Sequence, residues 1–195
     1  MRTALWILLL LLAAWVASIA VSGIVAPADR SEFMAELFGR LPTAMLFHLG
    51  GGAVALVSGA FQVQRRIRTR SVRLHRWLGR AYVMGIVSAA AAALPLALLS
   101  QHDWITRTGL TVLALLWLAT TLLGLEAILR GDQVSHQRWM VRSYALTVAA
   151  IMLRLYMPIT VALGIEFDTA YRAVVWLCWV PNLLLVEALG PGIRT

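Results

Sequence analysis

The chain has no lysine and a single cysteine, and it is poor in charge of either sign. One cysteine, Cys178, excludes an internal disulfide and a cysteine-held metal cluster. Charged residues make up 13% of the sequence, against about a quarter in soluble domains. The common hydrolase signatures GxSxG and HExxH are missing, and so is a P-loop. The triple glycine at 50–52 runs into apolar sequence rather than GK(S/T), so it does not cradle a phosphate. Strict apolar–polar alternation is absent as well, which argues against a barrel.

What the chain does have is apolar surface. Apolar residues make up 61% of it, and the mean hydropathy is +0.80. A water-soluble globule has nowhere to put so much of it, so the sequence reads as an integral membrane protein. A crossing needs roughly 20 apolar residues. Six stretches qualify, at about 4–26, 42–64, 77–100, 108–129, 140–163 and 171–189. The expected fold is all-α: a polytopic transmembrane bundle of six helices in one domain over 1–195, with helix 1 peripheral to a core at 42–189. Arg2 precedes the first stretch, as in a signal peptide, but the apolar region outruns the 7–15 residues of a signal and five spans follow, so it is read as retained.

All 17 basic residues are arginine, and the formal net charge is +8. Their placement points to topology rather than to nucleic acid. The second connection carries Arg65, Arg66, Arg68, Arg70, Arg73, Arg76 and Arg80, and the fourth carries Arg130, Arg138 and Arg142. Most acids fall in the other connections: Asp29, Glu32, Glu36, Asp103, Glu166 and Asp168. The positive-inside rule then puts both termini and both arginine connections in the cytoplasm of a bacterium, with the protein in its inner membrane.

The two arginine connections also repeat each other. "VRLHRWLGRAY" at 72–82 is echoed by "SHQRWMVRSY" at 135–144. Aligning Arg76 with Arg138 matches Trp77 with Trp139, Arg80 with Arg142 and Tyr82 with Tyr144, and leaves the histidines offset by one place. The echo makes helices 2–3 and 4–5 a candidate parallel repeat of one hairpin. It also sets His75 and His136 at similar depth, at the mouths of helices 3 and 5. Two neutral imidazoles on different helices can ligate one haem iron axially, with arginines such as Arg80 and Arg142 answering its propionates. Tryptophan beside arginine has a plainer role as an interfacial anchor.

On the other side of the membrane, His48 heads a face of small residues, Gly52, Ala55 and Gly59. These leave room for a planar ligand, although such stripes also serve close helix packing. His102 lies in a connection beside Asp103. Arg154 sits inside helix 5 at a depth near that of His48. An arginine there costs roughly 2.5–3.5 kcal/mol to insert, so it should face the bundle interior or a wet cavity. His48 and Arg154 are therefore expected to border one outer cofactor or quinone pocket. Glu126 and Arg130 have ion-pair spacing, Glu187 is placed to answer the cytoplasmic arginines, and Pro181–Asn182 should kink helix 6.

The segments "FHLGGGAVALVSGAFQV", "LHRWLGRAYV", "HQRWMVRSYALTVAAIMLRLY" and "WLCWVPNLLLVEAL" resemble a bacterial predicted-membrane-protein family of unknown function over roughly 42–189. That resemblance implies the membrane fold and no particular activity. A looser similarity is to the cytochrome b561-like haem-binding bundles, and it implies haem b on paired histidines. Those bundles hold their ligands within helices, whereas here His75 and His136 are expected at helix mouths.

The expected function is a haem b- or quinone-associated electron-transfer subunit, an oxidoreductase component if it is an enzyme, working with quinone or a redox partner. Its metal-binding residues would be His75 and His136, on the haem iron, with His48, Arg154, Arg80 and Arg142 completing the cofactor sites. The alternative is a non-redox transporter or accessory subunit whose His–Arg blocks contact anionic lipid or a partner. A membrane enzyme using Glu187 and the histidines on lipid substrates is a third option. The topology is directly testable. A reporter fused to the C-terminus should be active in the cytoplasm, and activity confined to the periplasm would overturn the orientation.

Overall fold

The computed structural model describes residues 3–190, so Arg2 lies outside it. Among the described residues there are ten α-helices, one short 3-10 turn and no strand. Six segments are long and apolar enough to cross a membrane: Thr3–Val25, Pro42–Gln62, Val72–Leu98, Trp104–Leu129, Gln133–Ala162 and Phe167–Ala188. The six spans match the sequence reading, but several helices start earlier. The third begins at Val72 rather than 77 and the fifth at Gln133 rather than 140. Hydropathy marks where the hydrocarbon begins, whereas the helix continues through the arginine-rich lip beyond it. His75 and His136 are therefore inside helices, each at the fourth residue.

The helices are α1 (Thr3–Val25), α2 (Glu32–Arg40), α3 (Pro42–Gln62), α4 (Arg65–Arg70) and α5 (Val72–Leu98), followed by α6 (Trp104–Leu129), α7 (Gln133–Thr147), α8 (Ala149–Ala162), α9 (Phe167–Leu177) and α10 (Val180–Ala188). The chain divides into two compact units, Met1–Ala92 and Ala93–Thr195.

In the first unit α1 packs along α3. Ala13, Val16, Ala20 and Gly23 are buried at helical spacing, while Leu8 and Leu11 are more than half exposed. That apolar exposure is what lipid contact requires and water does not tolerate. The Trp6 indole Nε1 donates to the Ala60 carbonyl at 2.9 Å. Ser31 caps α2, accepting the Met34 N–H, and Pro42 starts α3, where its missing N–H costs nothing.

Helices α3 and α5 meet at backbone contact. A Cβ on Gly51 would lie 2.5 Å from the Gly85 carbonyl oxygen, and one on Gly85 would lie 2.7 Å from the Gly51 carbonyl. Each glycine thus admits the other helix's backbone, the usual device where the bilayer supplies no hydrophobic drive.

The second unit is tied by hydroxyls and rings instead. Within the α6–α7 hairpin, Trp117 Nε1 donates to Thr147 Oγ1 at 2.9 Å, and Thr121 and Ser143 share a hydrogen bond at 2.7 Å. Hydrogen bonds of this kind in a bilayer contribute roughly 0.6 kcal/mol each. Trp176 Nε1 reaches the Ile105 carbonyl, joining α9 to α6.

Two spans are interrupted. The fifth breaks between Thr147 and Ala149, where Thr147 bonds back to the Ser143 carbonyl, a pattern that bends helices. The sixth breaks at Cys178–Trp179, just before Pro181, as expected from a proline without an N–H to donate. Asn182 repairs that break, its Nδ2 donating to the Cys178 carbonyl at 2.9 Å and to the Ala145 carbonyl of α7 at 3.3 Å.

A side chain at the glycine contact should separate α3 from α5. Gly51→Leu is expected to cost about 1–3 kcal/mol through overpacking. Gly52→Ala, where an added Cβ meets nothing within 4 Å, should be neutral or slightly stabilising. Thermal unfolding of the two variants in detergent distinguishes them.

Candidate functional site

His75 and His136 begin from equivalent places on α5 and α7, yet their surroundings differ. The His75 main-chain N–H bonds to the Ser71 carbonyl. Its own carbonyl accepts from Gln62 Nε2 at 2.6 Å, so the last residue of α3 fixes the first turn of α5 across the short α4. In the second unit His136 Nδ1 lies 2.8 Å from the Gly124 carbonyl of α6. A carbonyl can only accept, so Nδ1 must carry the proton. In the neutral ring Nε2 is then the basic nitrogen.

His48 is held the same way. Its Nδ1 is 3.2 Å from the Ala89 carbonyl of α5, which again assigns the lone pair to Nε2. The open space at Gly52 lies one turn along α3 from this histidine. The small-residue stripe is only partly available to a ligand, since Ala55 and Gly59 are buried and the adjoining Gly51 is used in helix contact. Near the Pro42 end of α3, a groove of about 630 Å³ is lined by Phe47, Val87, Ala91 and Ala92, with Arg40 and Ser88 as its polar edges.

The echoed arginines stack alike. The Arg80 guanidinium lies 5.0 Å from the Trp77 ring and that of Arg142 lies 4.8 Å from Trp139. Their carboxylate partners are where the copies part. Arg142 makes two hydrogen bonds to Glu187, at 2.6 and 2.9 Å, which ties α7 to α10. Glu126 pairs with Arg130. In the first unit the sequence has no acid between Glu36 and Asp103. Accordingly, no carboxylate among the described residues pairs with Arg66, Arg68, Arg70, Arg73, Arg76 or Arg80.

At the acid-bearing end of the second unit, the His102 ring packs at a tilt against Tyr171 with centroids 4.8 Å apart, and its Nδ1 is 3.4 Å from Asp168. Asp103 caps α6 through the Thr106 N–H at 2.8 Å and pairs with Arg172. Arg154, on α8, donates Nη1 to the Ala150 carbonyl at 3.1 Å.

His48 and His75 belong to the first unit, His136 and Arg154 to the second. Among the described residues no three His, Cys, Asp or Glu side chains gather to hold a metal ion. A bare ion with three or more protein ligands therefore has no donor set in them. Reading the sequence missed Gln62, the Gly124 and Ala89 carbonyls and the Asp103–Arg172 pair. The helix-spaced hydroxyls Thr121, Ser143 and Thr147 were the one signal in it for the α6–α7 seam.

A family model described as "Predicted membrane protein (DUF2306)" matches residues 45–189, most of the chain. No curated protein and no solved structure matches it.

The caps give a pH dependence. The Thr106 backbone hydrogen bond, aided by Arg172, holds the Asp103 carboxyl below the usual carboxylate range. Backbone hydrogen bonds from Asp168 and Thr169 do the same for Glu166. A depressed folded-state pKa gives stability that is complete above the unfolded pKa and lost as pH falls through the folded one. The thermal midpoint should therefore fall between about pH 5 and pH 3. Asp103→Asn keeps the cap and should flatten part of that decline.

Proposed function

The chain belongs to this predicted membrane protein family, and from that premise we propose that it is an electron-transfer subunit of the membrane, associated with haem b or a quinone. The observation that carries the reading is the position of two histidine Nδ1 atoms against backbone carbonyls. His136 and His48 each commit Nδ1–H to a backbone carbonyl of the neighbouring helix, the arrangement by which proteins fix an imidazole so that Nε2 can ligate or accept a hydrogen bond.

For haem, His75 of the first unit and His136 of the second would each be a candidate iron ligand, supported by their equal place in the first turns of α5 and α7. Arg80, with no acid of its own unit paired to it, would be free of a carboxylate to answer a propionate, whereas Arg142 is already held by Glu187. Bound haem supplies one-electron cycling of its iron; the protein supplies the orientation, the basic lip and an apolar surround. For a quinone, His48 Nε2 would accept a hydrogen bond from a hydroxyl of the reduced quinol. The groove near the Pro42 end of α3 has the volume usual for a small-molecule site. In this reading the arginine-rich lip faces the cytoplasm of a bacterium.

A second reading draws on the arginines Arg66 to Arg80, which carry charge without a carboxylate partner among the described residues. These would make the chain an accessory subunit or transporter seated on anionic lipid.

Reduced-minus-oxidised absorption of the purified protein separates the two. The redox reading expects a Soret band and a sharp α-band that disappear in His136→Ala and His75→Ala, or a quinone in the organic extract that is lost in His48→Ala. Colourless protein, expressed with full iron supply and yielding no quinone, favours the second reading.

A further inference from the structure

We propose that Arg154 holds the oxyanion head of an amphiphilic ligand, a carboxylate or phosphate carried on an apolar tail, within the second unit. The inference stands whether or not the histidines hold a redox group.

It starts from where the guanidinium goes. Arg154 is eight residues from the end of α8, about 12 Å along the axis, within reach of the nearer surface for a long side chain. Instead of extending that way, Nη1 turns back to the Ala150 carbonyl. Ala150 lies within about 4 Å, along the axis, of the mid-point of the span Gln133–Ala162. The charge is thus directed towards the part of the span where it costs most.

No carboxylate among the described residues pairs with Arg154. The second unit has six acids, and each is committed elsewhere. Asp103 pairs with Arg172, Glu126 with Arg130, Glu187 with Arg142, and Asp168 meets His102. Asp132 caps α7 through the Ser135 N–H, and Glu166 caps α9 through the Asp168 and Thr169 N–H groups. Tyr171 of α9 is near enough to interact with Arg154 electrostatically. A hydroxyl can donate to an anion but cannot neutralise a cation.

Arg154 therefore offers a fork of donors and a positive charge that no carboxylate among the described residues answers. Pro158, at i+4, has no N–H for the Arg154 carbonyl, so the helix itself is opened at this residue. The neighbours Leu155, Ile159 and Val161 are exposed apolar side chains, suited to an alkyl tail approaching through the bilayer. Planar, bidentate recognition of a carboxylate or phosphate is what a guanidinium does best.

The test is thermal unfolding of the full-length protein in neutral maltoside detergent near pH 7.5, titrated with decanoate, decyl phosphate or decanol. Both anions should raise the midpoint by about 2–4 °C and decanol should not. Arg154→Gln should abolish that shift. The arginines of the lip are untouched in Arg154→Gln, so a shift that survives there belongs to them and overturns the proposal. An equal shift with decanol overturns it as well. If Arg154→Gln does not fold, Arg154→Lys decides in its place: it keeps the charge, loses the fork, and should give at most half the shift, with an undiminished shift counting against the site. Mass spectrometry of organic extracts identifies the source of the oxyanion. Anionic phospholipid kept by the wild type and lost from the variant identifies a lipid headgroup. Its absence, with the decanoate shift intact, identifies a free amphiphile.

Discussion

Donation from a side-chain N–H to a backbone carbonyl of another helix is the interaction on which this structure most depends. Hydrocarbon offers no hydrogen-bond partner, and helix carbonyls are the acceptors always within reach. Trp6 reaches Ala60, His48 reaches Ala89, His136 reaches Gly124, Trp176 reaches Ile105, and Asn182 reaches Ala145. Each bond fixes a helix pair at one rotation, which apolar contact alone does not do, since lipid tails compete equally well for an apolar face. The same bond gives the histidines their chemistry. An imidazole that spends Nδ1–H on register has its basic nitrogen assigned by the fold.

The two echoed blocks show how one sequence pattern serves two ends. Trp77 with Arg80 and Trp139 with Arg142 repeat a cation–π contact at nearly the same distance. Glu187 then converts the second copy into a closed ion pair between helices, while the first copy is left among arginines with no acid for many residues on either side. In one unit the pattern is structural glue, and in the other it remains a field of positive charge.

Much of the fold was legible in the sequence because membrane insertion is a one-dimensional problem. Six apolar runs give six spans, and Pro181 with Asn182 announces a kink in the last, which the structure carries through to a full break. The helix starts were not legible, because hydropathy reports the lipid boundary and the helices continue past it, taking His75 and His136 inside. The break at Val148 had no proline to announce it and depends on the Thr147 hydroxyl bonding back to Ser143. At the candidate site, Glu187 as a partner for the arginines was readable from charge and depth. The carbonyls that set the tautomers of His48 and His136 were not, since every residue carries one and only packing selects which is used. The stripe below His48 was readable as small residues but not as a glycine contact, because the opposing Gly85 lies on another helix.

The interruptions at Val148 and at Cys178–Trp179 bear on how the protein meets membranes of different thickness. An unbroken helix answers a thinner bilayer by tilting as a rigid rod, and its neighbours must tilt with it. The fifth and sixth spans are each two shorter rods in series, stitched at the joints by Asn182 and Thr147. A mismatch there can be absorbed by flexing at two points, with the hydrogen bonds of each half-helix intact. The α8–α9 end, which carries Arg154, can thus follow the bilayer surface while the α6–α7 seam keeps its register.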